Sequence, residues 1–212
     1  TRQMAGLGST QLLALSTGVI AALETADVAA LRSTNIARLS AEQVAQFSTS
    51  QIRALTEKQI GALSTTHFAE SLSADQVSAL SSRQVAMLGS AQIGAMSTTD
   101  LQALASNQIR ALQSSGIAAL GTTQIAAFSS SQLAVFTVKQ IAALSVDDIA
   151  AALDEADFAA LGSVQTAALS STQIASLSNE QLAAISSSGF AALRTSGISA
   201  LSSSHIAALS SS

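Results

Sequence analysis

A large apolar residue recurs every eight residues along almost the whole of this sequence. The stretch at residues 169–177, LSSTQIASL, shows one eight-residue unit, or octad, together with the residue that ends the preceding one. We label the positions of the octad b to h and then a. Ser or Thr is usual at b and c, Gln at e, a second apolar residue at f, Ala at g and h, and the large apolar residue at a. Self-similarity at a short fixed period predicts a repeat architecture.

The octad fills residues 1–212 and predicts one continuous solenoid without a linker. The spacing of position a is nine instead of eight at only two places, so that residues 64–72 and 145–153 are nine-residue units. Two interpretations of these units stay open. They correct the phase of the coil at intervals, or they are ordinary insertions at a corner of a solenoid. Around Ser71 and Ala152 we would look first for function.

An eight-residue period excludes one continuous α-helix. At about 100° per residue, the apolar stripe would move by about 80° around the helix with each octad. Coiled coils need periods of seven or eleven residues. Ser170 at b and Gln173 at e instead form a capping box, in which each side chain bonds the other residue's backbone amide. The Q-I-A-A-L type segment that follows favours helix, so each octad predicts a short helix and a corner.

Helices this short are unstable alone and persist only when stacked. We therefore predict an all-α fold, a solenoid or superhelix of short capped helices with one helix per octad. Positions a and f line the interior, Ala at g and h lets neighbouring helices approach, and Ser and Thr at c and d face solvent. Gln at e could form a ladder between stacked coils. The alternative is a β-solenoid, which also uses short repeats rich in Ser and Thr, although Ala pairs and the lack of strict alternation count against it.

Composition excludes several classes of partner and site. A net charge of −4 and a pI near 5.0 leave no electrostatic footprint for a nucleic acid. No apolar run approaches the roughly 18 residues that a membrane span needs. The absence of Cys excludes disulfides and thiolate metal sites. The scattered Lys and Arg residues form no run, are more abundant in the first half, and are expected to keep the protein soluble or set lateral contacts.

The two histidines, His67 and His205, both occupy position e. We interpret them as substitutes for the capping Gln, because a catalytic or ligand role needs convergent partners that the sequence does not indicate. No Ser/His/Asp arrangement is implied by the abundant serines, which recur because caps recur. The sequence therefore predicts no catalytic residue, no cofactor-binding residue and no cofactor.

The candidate metal site is an acidic cluster around the second nine-residue unit. Its carboxylates could supply the oxygen ligands that Ca²⁺ takes. Alternatively, acidic groups near helix N-termini stabilise the helix dipole and remain in solvent. We favour the second interpretation, because two members occupy position e and one occupies the cap position. The cluster comprises Asp147, Asp148, Asp154, Glu155 and Asp157.

Two resemblances bear on function. Tandem octads of the LSxxQIAAL type resemble the repeat tracts of very large secreted or surface-exposed bacterial proteins, which are associated with adhesins, sheaths and filaments. The segments LSNEQLAAIS (residues 177–186) and LSAEQVAQFS (residues 39–48) are similar to the first helix of TAL-effector DNA-binding repeats. The base-reading loop and second helix of that family are absent here, so this resemblance implies a capped short helix and not DNA binding.

The first resemblance implies an extracellular or cell-surface location in a bacterium. We therefore expect a non-enzymatic structural repeat protein, a rod or a self-assembling component of a filament or tube, that associates with itself end to end or laterally. The alternative is an adhesin stalk, or a module that displays rows of Ser and Thr to a lattice or surface polysaccharide. The chain starts at Thr1 and shows no terminal caps, which indicates a mature protein or an excised part of a longer array.

Overall fold

Each octad forms one short helix and one corner. In the helix Thr49–Ala54, the amide of Leu55 closes the last turn on the carbonyl of Ile52, three residues back. Leu55 at position a (φ −58°, ψ 135°) and Thr56 at position b (φ −69°, ψ 159°) are then both extended. Two consecutive extended residues turn the chain into the next helix, so no described residue needs a positive φ.

The computed structural model describes residues 6–209 of the chain. It divides the chain into two compact units, Thr1–Gly116 and Ile117–Ser212. The bounded helices of the first unit are Ser9–Leu13, Thr17–Ala21, Thr25–Ala30, Ser33–Ile36, Ala41–Ala45, Thr49–Ala54, Glu57–Gly61, the π-helix His67–Ser71, Ala74–Ser78, Ser82–Ala86, Ser90–Gly94, Thr98–Gln102 and Ser106–Ala111. The boundary between the two units lies within the helix Ser114–Ile117.

The second unit has the same construction. Its helices are Thr122–Ile125, Ser130–Leu133, Val138–Ile141, Val146–Ala151, Glu155–Ala160, Ser163–Thr166, Ser171–Ala175, Asn179–Ala184, Ser187–Ala191, Thr195–Ile198 and Ser203–Leu209. No β-strand occurs within residues 6–209. The predicted all-α class is thus confirmed and the β-solenoid alternative is wrong, because the capping boxes commit each octad to a helix. No helix in the described part of the chain is long and apolar enough to cross a membrane.

Within each unit, a helix packs against the third helix before it and the third helix after it. Thr25–Ala30 contacts Thr49–Ala54 in the first unit, and Glu155–Ala160 contacts Asn179–Ala184 in the second. This stacking buries the apolar positions f and a, as predicted: Ile174 is 1% exposed and Leu177 is 4% exposed. The architecture is a helical solenoid, in which short helices are stabilised by their neighbours in the adjacent turns.

The expected role of Ala at both g and h needs correction. Ala184 at position h is half-buried, but Ala183 at position g is exposed. Since position g points outward, it also accepts long side chains, such as Arg53 and Arg110. A small residue is therefore not required there by helix packing.

Candidate functional site

The capping box predicted at position e is present in the structure. The amide of Ser170 donates to Oε1 of Gln173 at 2.8 Å, and the amide of Gln173 donates to Oγ of Ser170 at 3.2 Å. Thr56 and Gln59 form the same pair of bonds, at 2.6 and 3.3 Å. Each box supplies acceptors for backbone amides that have no intrahelical partner at the start of a helix.

The other end of the same glutamine reaches the preceding turn of the solenoid. Nε2 of Gln59 donates to the carbonyl of Val28 at 2.9 Å and to that of Leu31 at 2.7 Å. These carbonyls lie in the last turn of a helix and just beyond it, where few backbone donors remain; that of Val28 also accepts from the amide of Leu31. One side chain thus completes the N-terminus of its own helix and the C-terminus of another. Leu31 precedes Gln59 by 28 residues, and each helix packs against the third helix before it, so one turn contains about three octads.

We call the position-e glutamines that make both of these contacts the glutamine ladder. Each member bonds both its own cap residue and the preceding turn. These hydrogen bonds confirm the ladder predicted for position e. Members with both contacts include Gln43, Gln51, Gln59, Gln76, Gln84, Gln92, Gln108, Gln165, Gln173 and Gln181.

Both histidines take the place of a ladder glutamine. The amide of Ser64 donates to Nδ1 of His67 at 3.1 Å, and Nε2 of His67 lies 3.0 Å from the carbonyl oxygen of Leu39. His205 repeats these contacts at 3.2 and 2.9 Å. A neutral ring with its proton on Nε2 satisfies both bonds. The prediction that these residues substitute for the capping Gln is confirmed.

Three carboxylates of the acidic cluster lie in capping boxes. Oδ2 of Asp148 accepts bonds from the amide and the hydroxyl of Ser145, at 2.9 and 2.7 Å. Asp154 and Asp157 cap each other's amides, at 3.1 and 3.0 Å. These three side chains therefore have the capping geometry that the alternative interpretation of the cluster predicted. The expectation that they remain in solvent is wrong for Asp148 and Asp157, which are buried.

The structure does not gather the cluster around one point. Its other two members, Asp147 and Glu155, are exposed, and the described residues contain no group of three or more His, Asp or Glu side chains that could hold a metal ion. Another carboxylate, that of Glu180, has a lowered pKa because it accepts hydrogen bonds from its own amide and from Ser178. Acidic side chains outside the cluster therefore also accept hydrogen bonds at helix N-termini.

The two nine-residue units accommodate their extra residue differently. In the first, His67–Ser71 is a π-helix, in which the amide of Leu72 donates to the carbonyl of His67, five residues back, at 2.9 Å. In the second, the α-helix Val146–Ala151 has the six residues found in several ordinary octads, and the extra residue Ala152 follows it as a C-cap whose amide donates to the carbonyl of Asp148 at 2.9 Å. The first extra residue thus lies inside a helix, whereas the second lies directly after one.

The insertions leave the partners of the ladder unchanged. Gln84 bonds Leu55 across 29 residues and Gln173 bonds Leu144 across 29 residues, in each case with a nine-residue unit in between. Gln181 again bonds Leu153 across 28 residues. Position e therefore selects position a of the fourth preceding octad, whatever the exact number of residues between them.

This periodic geometry agrees with a comparison against protein families. The chain matches the ALTTAQ repeat over residues 20–57, 70–98, 93–130 and 150–187, which together exceed half of its length. The chain belongs to the ALTTAQ repeat family. Two of the matched ranges begin inside the nine-residue units, at residues 70 and 150. A search of curated proteins found no significant match.

The ALTTAQ octads carry exposed hydroxyl groups, as predicted for positions c and d. Ser171 and Thr172 are both exposed. The hydroxyl at d is directed to the cap of its own octad: Oγ1 of Thr172 lies 3.0 Å from Oγ of Ser170. Ser186 and Ser188 form the same pair at 3.2 Å. The hydroxyl at c, in contrast, lies on the exposed side of the helix start.

The first nine-residue unit of this ALTTAQ chain contains an unusual buried group. Oγ of Ser71 is buried and has no hydrogen-bond partner, and Ser71 is the last residue of the π-helix. Buried polar groups in proteins are nearly always bonded, so this hydroxyl destabilises the unit. The nine-residue spacing drew attention to the region around Ser71 in the sequence. The spacing alone did not predict a π-helix or a buried hydroxyl without a hydrogen-bond partner.

Sequence reasoning missed one assembly of side chains in the ALTTAQ chain. Arg53, Lys58 and Arg83 line one open cavity of about 520 Å³ in the first unit. Lys58 and Arg83 are 25 residues apart in the sequence and both occupy position d. This spacing is close to one turn of the solenoid. The spacing predicts that the two side chains lie close together only when the length of one turn is already known.

Proposed function

We propose that this ALTTAQ repeat chain is a non-enzymatic structural protein, a rod or a self-assembling component of a bacterial surface. The glutamine ladder is the observation that supports this proposal. It uses the Gln side chain at position e, which can both donate and accept hydrogen bonds, to link one turn to the next. Gln59, for example, is 1% exposed and has bonds at both ends of its amide. Such a side chain stabilises a scaffold and is not available to a substrate.

Self-association is supported by the repetition itself. Similar octads present similar faces along a solenoid, and such faces can be complementary to one another. Apolar side chains are also exposed in the second unit, where Ile198 is 41% and Ile206 is 53% exposed. At the same position f, Ile174 is 1% exposed. Apolar groups of this kind favour contact with another molecule.

Electron microscopy and sedimentation velocity of the purified chain test this proposal. We expect assemblies whose size increases with protein concentration, and discrete monomers at every concentration would overturn it. The double variant Ile198→Glu/Ile206→Glu should weaken end-to-end assembly, since burial of a charge opposes association. Ser188→Glu, at an exposed position in the same region, is the matched control and should leave assembly unchanged.

A second candidate function is supported by the hydroxyls at position c. An adhesin stalk or polysaccharide-binding module would use their regular exposure to contact sugar hydroxyls. The variant Ser171→Glu/Ser187→Glu changes two exposed c positions without removing a cap residue. Loss of binding to purified surface polysaccharide with assembly intact would favour this function, whereas loss of assembly would favour the structural one.

A further inference from the structure

The cavity that contains Arg53 gathers positive charge in a chain of net charge −4. We define the cationic groove by the polar and charged residues that line this cavity in the first unit. Only one of the four charged residues among them is acidic, so the formal charge of the lining is +2. The groove comprises Arg53, Thr56, Glu57, Lys58, Ser81, Arg83 and Gln84.

The repeat geometry brings these groups together. Lys58 and Arg83 occupy the same position d in octads about one turn apart, so their side chains line the same side of two stacked helices. Arg53 comes from position g, and its Nε donates to the carbonyl of Ala79 at 3.5 Å. This bond spans 26 residues and directs the guanidinium toward the turn that contains Arg83. Like charges held together repel one another, so an anion in the groove would be stabilised.

We propose that the cationic groove binds an oxyanion, a phosphate or sulfate group that is either free or carried on a surface polysaccharide. The forked N–H donors of arginine match two oxygens of such a group, and the lysine adds a compact positive charge. Two hydroxyls complete the donor set. Oγ1 of Thr56 and Oγ of Ser81 accept hydrogen bonds from the backbone amides of Gln59 and Gln84. Their own O–H protons therefore point elsewhere and can be donated to an anion.

Glu57 sets the selectivity of the groove. Its carboxylate lines the same cavity and opposes any anion that enters it. A ligand therefore needs enough charge to outweigh this repulsion, which favours a doubly charged oxyanion over chloride or a single carboxylate. This proposal does not depend on self-assembly, because all the lining residues belong to one unit of one chain.

Isothermal titration calorimetry of the full chain with inorganic pyrophosphate and with inorganic sulfate, at low ionic strength, tests the proposal. We expect saturable binding of one anion per chain. Arg83→Gln and Lys58→Gln should each weaken it by about tenfold, the effect of losing one charge-assisted hydrogen bond. Glu57→Gln should strengthen it several-fold. A sulfated oligosaccharide that binds more tightly than free sulfate would identify the polysaccharide as the source of the anion, and equal affinity would identify the free ion.

The matched control is Arg110→Gln. Arg110 lies in a second Gln-Ile-Arg-Ala-Leu segment, identical in sequence to that of Arg53, and it does not line the groove. Its loss should change affinity by less than about twofold. An equal effect of Arg110→Gln and Arg53→Gln would overturn the proposal, because it would show attraction to net charge alone.

A measurement on the unaltered chain covers the case in which a variant fails to fold. Addition of sulfate should shift the backbone amide NMR signals of residues 53–58 and 81–84, with saturation at the affinity found by calorimetry. Shifts elsewhere, or an absence of saturation, would overturn the proposal. So would dissociation of a dimer on addition of sulfate, which would show that acidic side chains of a second copy occupy the groove.

Discussion

Nε2 of Gln84 lies 2.7 Å from the main-chain oxygen of Leu55, 29 residues earlier, whereas Gln59 makes the same 2.7 Å bond to Leu31 across 28 residues. The two bonds are structurally equivalent although an inserted residue lies within the span of the first. Hydrogen bonding between turns therefore depends on the position within the octad. A solenoid built in this way tolerates an occasional extra residue, either inside a helix or directly after one.

The ladder bond should be a major source of stability. Gln59→Ala removes the acceptor for the amide of Thr56 and the donor to Val28 and Leu31, so we expect a loss of about 2–3 kcal/mol in the free energy of unfolding. Gln59→Glu keeps the acceptor but places a carboxylate against those carbonyls. At pH 7 it should cost more than Gln59→Ala, because a buried unpaired charge is added.

Urea denaturation monitored by circular dichroism measures these effects. The control is Gln46→Ala, at an exposed position h, which should change the unfolding free energy by less than about 0.5 kcal/mol. If Gln59→Ala costs no more than Gln46→Ala, the ladder bond does not stabilise the solenoid.

Ser71→Ala should stabilise the protein. It removes a buried hydroxyl that has no partner and that loses its hydration on folding, so we expect a gain of about 1–2 kcal/mol in thermal or urea unfolding. Ser78→Ala is the matched control. Oγ of Ser78 is exposed and bonded to the carbonyl of Asp75 at 2.9 Å, so its loss should change stability by only a few tenths of a kcal/mol. Equal effects of the two variants would contradict this account of Ser71.

Deletion of Glu70 should be tolerated. Glu70 is exposed within the π-helix, and its removal restores an eight-residue unit in which the ladder partners remain the same. We expect the same helical circular dichroism spectrum and an unfolding free energy within about 1 kcal/mol of the original. Deletion of Gln46 is the matched control. It would leave a seven-residue unit and displace Phe47 from the core, at a cost of about 3 kcal/mol or more.

Two glycines should respond in opposite directions to substitution by alanine. A Cβ at Gly116 would clash with Cδ1 of Ile93 and lie 3.2 Å from its Cβ, so Gly116→Ala should destabilise the protein by about 1–3 kcal/mol through overpacking. At Gly61 the nearest group is the carbonyl oxygen of Met87, 3.6 Å away. Gly61→Ala should therefore stabilise the helix by up to about 1 kcal/mol. The difference in melting temperature between these variants measures the effect, and a stabilising Gly116→Ala would contradict the packing described for position e.

The sequence by itself determined the local structure of the octad. Ser170 and Gln173 are three residues apart, which is the spacing of a capping box, and Ile174 and Leu177 then lie on the same face of the helix. These contacts depend on separations of three or four residues, and short-range geometry is fixed once a helix forms. The role of His205 could be predicted for the same reason, since position e alone defines it.

Tertiary structure decided everything that depends on the length of one turn. The dihedral angles of two extended corner residues, such as Leu55 and Thr56, recur at the corners and set the turn at about three octads. Only this length places Lys58 beside Arg83 and pairs Gln59 with Leu31. The π-helix His67–Ser71 in the first nine-residue unit and the additional C-cap residue Ala152 in the second also do not follow from the residue count. Small angular differences add up over many octads, so the period of a solenoid, unlike its repeat, is a property of the stacked chain.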